Sequence, residues 1–123
     1  MKNLGQLGED LVAGYYQNLG FKVLDRNFIF PYGKQMGEID LVVMKKNELV
    51  FVEVKTRSNN SFGSAFDSID IYKQRKLIKM VHLYFKLKPH LANTDYRIDV
   101  AAVDIDNKDQ PVIILTNAID DLT

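Results

Sequence analysis

Asp40, Glu53 and Lys55 are the residues of this chain whose types and spacing could do chemistry together. They belong to one stretch, Gly37 to Lys55 (GEIDLVVMKKNELVFVEVK), which reads as two strands, Glu38–Met44 and Leu49–Lys55, around a polar Lys45-Lys46-Asn47-Glu48 connection. Side chains alternate along a strand, so Asp40, Val42 and Met44 share one face while Ile39, Leu41 and Val43 share the other. In the second arm Val50, Val52 and Val54 form an all-valine face, opposite Leu49, Phe51, Glu53 and Lys55. A hairpin centred between Lys46 and Asn47 matches apolar face to apolar face and sets Asp40 across from Glu53. A slip of one residue would turn the acid of one arm toward the valines of the other, so the pattern argues for this register.

Cross-strand neighbours have Cβ atoms about 4.5–5.5 Å apart, and at that distance two carboxylates repel by about 3 kcal/mol if the effective dielectric is about 20. A divalent cation would offset the repulsion, and a hard, oxygen-seeking ion, Mg²⁺ or Mn²⁺, suits two ligands that offer only oxygen. Lys55 lies two residues past Glu53 on the same face, within reach of a carboxylate or of a water at the metal. Two acids and an amine around a metal are equipment for hydrolysing a phosphodiester. The ion polarises a phosphoryl oxygen and acidifies water, while the ammonium steadies developing negative charge. The competing reading is a solvated surface pair contributing about 0–1 kcal/mol, and the hydrophobic setting of both acids argues against it.

The elements that must position these groups follow from the flanking pattern. Asn3, with Gln6 three residues on, caps a first helix running to about Leu19 and stopped by Gly20. Leu4, Leu7, Leu11, Tyr15 and Leu19 form an apolar stripe at helical spacing, the mark of a core-facing side. Glu9 falls on a neighbouring face with Val12, Ala13 and Tyr16, where its plain role is to complement the helix dipole. Phe21 to Asn27 reads as a strand that runs into an aromatic segment, Phe28 to Gly33, broken by Pro31 and Gly33. Residues 56–64 read as a polar loop beside the acids. A second helix is expected from about Ser68 to Leu87, ended by Pro89, with Leu77, Val81 and Tyr84 inward. Lys73 lies on that inward stripe and needs a partner, either the Asp40–Glu53 face or a phosphate. Tyr96–Val103 and Val112–Leu115 read as strands, with Arg97 and Asp99 on one face of the former. The acidic turn 104–109 lacks the glycine and terminal glutamate of an EF-hand loop, and His82 and His90 have no metal-ligand spacing. The alternation α, β, β, β, α, β, β argues for an α/β domain with a mixed central sheet and helices packed on it.

Gly8-Glu9, Arg26-Asn27, Gly37-Glu38-Ile39-Asp40-Leu41-Val42, Phe51-Val52-Glu53-Val54-Lys55-x-Arg57, Lys73-Gln74-Arg75-Lys76-Leu77 and Arg97-Ile98-Asp99-Val100 occur in that order. The arrangement resembles the YraN-like bacterial proteins, which are grouped with the PD-(D/E)xK nucleases of the Holliday-junction-resolvase-like branch. The resemblance implies a restriction-endonuclease-like αβββαβ core. It implies a metal held by Asp40, Glu53 and the Val54 carbonyl, Lys55 as the catalytic lysine, Glu9 as an acid lent by the first helix, and Lys73 as an auxiliary base. Ile39-Asp40 stands where the superfamily has Pro-Asp, and Asp67 stands where a glutamate is usual, so Asp67 is left out of the set.

The chain has 123 residues, 46% hydrophobic and 26% charged, which fits one nuclease-like domain over residues 1–123 rather than a disordered protein. There is no cysteine, and no uninterrupted apolar run at the start, so no disulfide or membrane span is expected and the cytoplasm is the expected compartment. Formal net charge is zero but segregated. Lys55 to Lys88 carries eight basic residues against Asp67 and Asp70, whereas 89–123 carries two basic residues against seven acids. A local basic region attracts phosphate even when the total cancels, and Arg57, Lys73, Arg75, Lys76 and Lys79 are the expected contacts to nucleic acid, with DNA the expected partner. Two other readings stay open at this point. One is a nucleic-acid-binding module that does not cut. The other is an interaction protein that forms a homodimer through Phe28–Tyr32.

Overall fold

A computed structural model describes residues 1–34, 36–57 and 66–121. The first helix, α1 (Leu4–Asn18), begins with the expected reciprocal cap. Gln6 donates its backbone N–H to the Asn3 side chain, and the Asn3 N–H donates to Gln6 Oε1 at 3.0 Å. Strands β1 (Lys22–Phe28), β2 (Ile39–Lys45) and β3 (Glu48–Arg57) form an antiparallel meander. The second helix, α2 (Ile71–Leu87), starts three residues later than the pattern suggests, because Asp70 and not Ser68 is its cap: the Asp70 side chain accepts the Lys73 N–H at 2.9 Å. A single 3₁₀ turn (Pro89–Leu91) leads to β4 (Asp95–Asp104) and β5 (Val112–Leu115).

The sheet has the order β1-β2-β3-β4-β5, with β3 and β4 parallel and the other neighbours antiparallel. Joining two parallel strands requires a long crossover, and α2 is that crossover. The β2–β3 hairpin has the register that the alternation calls for. Lys45 pairs with Glu48 and Leu41 with Val52, and Lys46 takes the positive φ (54°) of the two-residue turn.

Each face of the sheet is covered. Val42, Leu49, Phe51, Ile98 and Val100 pack with Leu77, Met80, Val81 and Tyr84 of α2. Leu41, Val43, Val50, Val52, Ala101 and Val103 pack with Val12, Ala13 and Tyr16 of α1. Two expectations need correction. Ile39, expected with Leu41 and Val43, joins the α2-side cluster; it precedes the regular β2–β3 ladder, which begins only at Leu41. The stripe of Leu4, Leu7, Leu11, Tyr15 and Leu19 faces outward, each residue 38–49% exposed. The side that meets the sheet carries Gly8, Val12, Ala13 and Tyr16 instead. Gly8 lies so close to β3 that a Cβ there would stand 1.9 Å from Thr56 Oγ1. Close-packed interiors reward that approach, and leucines at the same positions would hold the helix away.

Phe28 packs edge-on to Tyr84 at 4.9 Å, and Phe28 and Phe30 lean on the α2-side core, so the aromatic segment is partly structural; Ile29 and Tyr32 remain exposed. Arg97 and Asp99 pair as expected at 3.0 Å. The polar loop expected at 56–64 lies largely outside the described residues, and its first two members, Thr56 and Arg57, extend β3. No described helix is long and apolar enough to cross a membrane.

Candidate metal centre and nucleic-acid interface

The site forms where β2 and β3 part company at the end away from their turn. Beyond the Leu41–Val52 pair the ladder gives way to a side chain: the Val54 N–H donates to Asp40 Oδ2 at 2.8 Å. In an antiparallel ladder the N–H and C=O of one residue face the same neighbour. The Val54 carbonyl is therefore turned into the same fork as the Asp40 carboxylate. Gly37, with φ of +133°, bends the chain just before β2 in a conformation that a side chain would resist.

A cleft of about 260 Å³ opens over this fork. Glu38, Asp40, Glu53 and Lys55 line it from the sheet, and Ile69, Lys73, Lys76, Leu77 and Met80 line it from the α2 side. Sequence reasoning had brought Asp40, Glu53, Lys55 and Lys73 together, and the fold does so. Lys73 is not joined to the acids, however, because its Nζ donates to the Ser68 carbonyl at 3.1 Å. Arg57 reaches back to the Thr56 carbonyl at 3.0 Å and is not among the lining residues. Arg75 and Lys79 are exposed on α2 outside the cleft.

Glu9 arrives from the other face of the sheet. Carboxylate oxygens of Glu9, Glu38 and Asp40 all lie within 4.8 Å of one another. The seating of Gly8 on Thr56 is what lets α1 come close enough for this. Asn27, whose φ is +52°, donates Nδ2 to Glu9 Oε2 at 3.1 Å and to Glu38 Oε1 at 3.4 Å, bridging the two acids. One residue before Asn27, Arg26 donates to Asp10 at 2.7 Å, and Lys2 also pairs with Asp10. Asp10, beside these two cations, is held below the usual carboxylate range.

Asp40 is only 7% exposed. Burial first, and then the neighbouring Glu53 carboxylate, push its carboxyl well above the usual range, and the Val54 N–H opposes this only in part. Among the described residues, the Val54 N–H is the hydrogen-bond donor to Asp40, and Lys55 is the cation of β3 that shares its cleft. The donor set, carboxylates together with a backbone carbonyl, contains oxygen alone, and that fits Mg²⁺ or Mn²⁺ rather than a softer ion.

Glu38 and Asn27 were missed as site residues. The signal for Glu38 was the alternation already in use, since Glu38 and Asp40 stand two apart in an extended stretch. Asn27 carried no such signal, because its role depends on an unusual backbone angle at the end of β1.

The succession α1, β1, β2, β3, α2, β4 around one mixed sheet is the restriction-endonuclease-like αβββαβ core, here with β5 added at the edge. Residues 8–103 match the model of the uncharacterised protein family UPF0102, and the chain belongs to that family. A UPF0102 protein of Caldanaerobacter subterraneus subsp. tengcongensis is 41% identical over 83 residues, 68% of this chain and 65% of that protein. Relatives in Vibrio campbellii (38% over 109 residues, 88% of this chain and 86% of theirs) and Alkaliphilus metalliredigens (35% over 117 residues, 95% and 97%) align over nearly full length. The YraN-like resemblance drawn from the sequence therefore holds.

Proposed function

We propose that the protein is a Mg²⁺- or Mn²⁺-dependent endonuclease that hydrolyses DNA phosphodiester bonds, with branched or otherwise structured DNA as the substrate to try first. The observation that carries this reading is the convergence of Asp40, Glu53, Lys55 and Lys73 on one cleft, with Glu9 and Glu38 beside Asp40.

In this reading Asp40, Glu53 and the Val54 carbonyl hold the cation, with Glu38 and Glu9 as further oxygen donors. The bound ion would supply Lewis-acid polarisation of the phosphoryl group and a more acidic water. Lys55 orients the attacking water and offsets negative charge as it develops on the phosphate. Lys73 and Lys76 receive the phosphate from the α2 side, while Arg57, Arg75 and Lys79 extend the basic approach. Asn27 keeps the carboxylates of Glu9 and Glu38 turned toward Asp40.

The test is cleavage of supercoiled plasmid and of synthetic four-way junctions in Mn²⁺, compared with Glu53→Ala. Cleavage by the parent chain and its loss in a variant with an unchanged melting curve is the expected result. Failure to cut DNA or RNA of any form in any divalent metal would overturn the hydrolytic reading.

A further inference from the structure

Beside the stripe of α2 that lines the cleft (Lys73, Leu77, Met80) runs a second stripe, Tyr72, Lys76 and Lys79, spaced four and three residues apart and so on one side of the helix. All three are exposed, Tyr72 at 71%. The helix has five cationic residues, Lys73, Arg75, Lys76, Lys79 and Lys86, and no acidic one. A second exposed phenol belongs to the segment that leads into the cleft's lining: Met36, Gly37 and Glu38 line the cleft, and Tyr32, 66% exposed, lies four residues before Met36 in the chain. Its ring stands edge-on to Phe30 at 5.7 Å, and Phe30 itself leans on the apolar cluster beneath the cleft. Single exposed tyrosines are ordinary. Two of them close in sequence to the lining of one acid-floored cleft, Tyr72 one residue before Lys73 and one helical turn before Lys76, Tyr32 four residues before Met36, are a pattern with a chemical meaning.

We propose that Tyr72 and Tyr32 are base-stacking platforms, and that the strand entering the cleft is unpaired: a single-stranded tail, flap or frayed junction arm. This deepens, and rests on, the hydrolytic reading above. In a duplex the base faces are covered by their neighbours, so an exposed phenol gains nothing from them. An unpaired strand offers a π-face with every base while its phosphates follow Lys73, Lys76 and Lys79. Preference among bases is small in such a track, because each base has a face to stack.

The experiment is fluorescence anisotropy of the full chain with a labelled oligothymidylate and with a blunt duplex of equal length, in Ca²⁺ and separately in EDTA. The expected result is tighter binding of the oligothymidylate. Tyr72→Ala and Tyr32→Ala should each weaken it about tenfold, while Tyr72→Phe and Tyr32→Phe, which keep the ring, should bind like the parent chain. Lys76→Ala and Lys79→Ala should weaken both probes and flatten the salt dependence. Equal affinity for the two probes, or alanine variants that bind like the parent, would overturn the proposal. The two readings fail separately. Ring-dependent binding without cleavage in Mn²⁺ would sink hydrolysis alone, and cleavage indifferent to both tyrosines would sink the stacking track alone.

Discussion

Of the three aspartates buried in the sheet, Asp40, Asp99 and Asp104, the first two live in opposite circumstances. Asp99, on β4, is wholly buried and fully answered: Arg97 Nε donates to it at 3.0 Å, the Tyr16 hydroxyl at 2.7 Å and the Asn117 N–H at 2.8 Å. Asp40, on β2, receives one backbone N–H and otherwise faces Glu53, Glu38 and Glu9. The first arrangement stores stability, since every lone pair of the carboxylate is used within the fold. The second is destabilising by itself, and folding alone gives no reason to gather four acids at one fork. A group left uncompensated in a cleft is where chemistry should be sought.

The sharpest way to break this contrast is to neutralise each aspartate in turn. Asp40→Asn should lower Mn²⁺-dependent cleavage by roughly 10²–10³-fold, while thermal unfolding shows stability unchanged or raised. Asp99→Asn should do the reverse. It leaves Arg97 without its buried partner and should lower stability by about 3 kcal/mol in denaturant titration, with cleavage retained below the new midpoint.

Next in size is the response to metal. At a concentration about a hundredfold above its dissociation constant, Mn²⁺ should stabilise the parent chain by about 2.7 kcal/mol. Calorimetry should show that rise persisting in Asp99→Asn and vanishing in Asp40→Asn. An equal rise in both variants would place the ion elsewhere.

The seating of α1 is a smaller effect that bears on the acid side of the comparison. Gly8→Ala forces a methyl against Thr56 and should cost about 1–3 kcal/mol. It should also weaken Mn²⁺ binding, since α1 carries Glu9. Adding Thr56→Ala should return part of both losses, and a double-mutant cycle measures how much.

The smallest effect concerns the answered side. Burial, followed by Asp99, raises the Tyr16 hydroxyl above its ordinary value near 10, and burial together with Asp25 raises that of Tyr84. In the unfolded chain both ionise near pH 10, so above that pH the unfolded state binds fewer protons and stability falls. The contribution is intact below pH 10 and is lost as pH rises past it. Tyr16→Phe should flatten that alkaline decline, as read from melting temperatures between pH 9 and 11.

Much of this was legible in the chain before folding. The hairpin register followed from valines alternating on one arm and an even-membered connection, both of them local facts. The Asn3–Gln6 cap is a reciprocal bond between residues three apart, and the Arg97–Asp99 pair joins residues two apart on one strand. The outward turn of Leu4, Leu7, Leu11, Tyr15 and Leu19 was not legible. Periodicity weighs a side by its hydrophobicity, whereas the sheet selected the side on which Gly8 allows close approach and the Tyr16 hydroxyl reaches Asp99. Nor could sequence spacing bring Glu9 to Asp40, because these residues come from opposite layers of the fold.

The sequence alone determined which residues share a strand face, where the strands turn, and that two acids and a lysine lie together on one of those faces. These follow from backbone periods of 2 and 3.6 residues, which act over short distances. Only the tertiary structure decided that α1 presses its glycine against β3, that Glu9 and Glu38 join the two acids, and that α2 closes the cleft with its cationic side. Those outcomes depend on which surfaces fit at close range, and fit between distant segments is a property of the assembled layers.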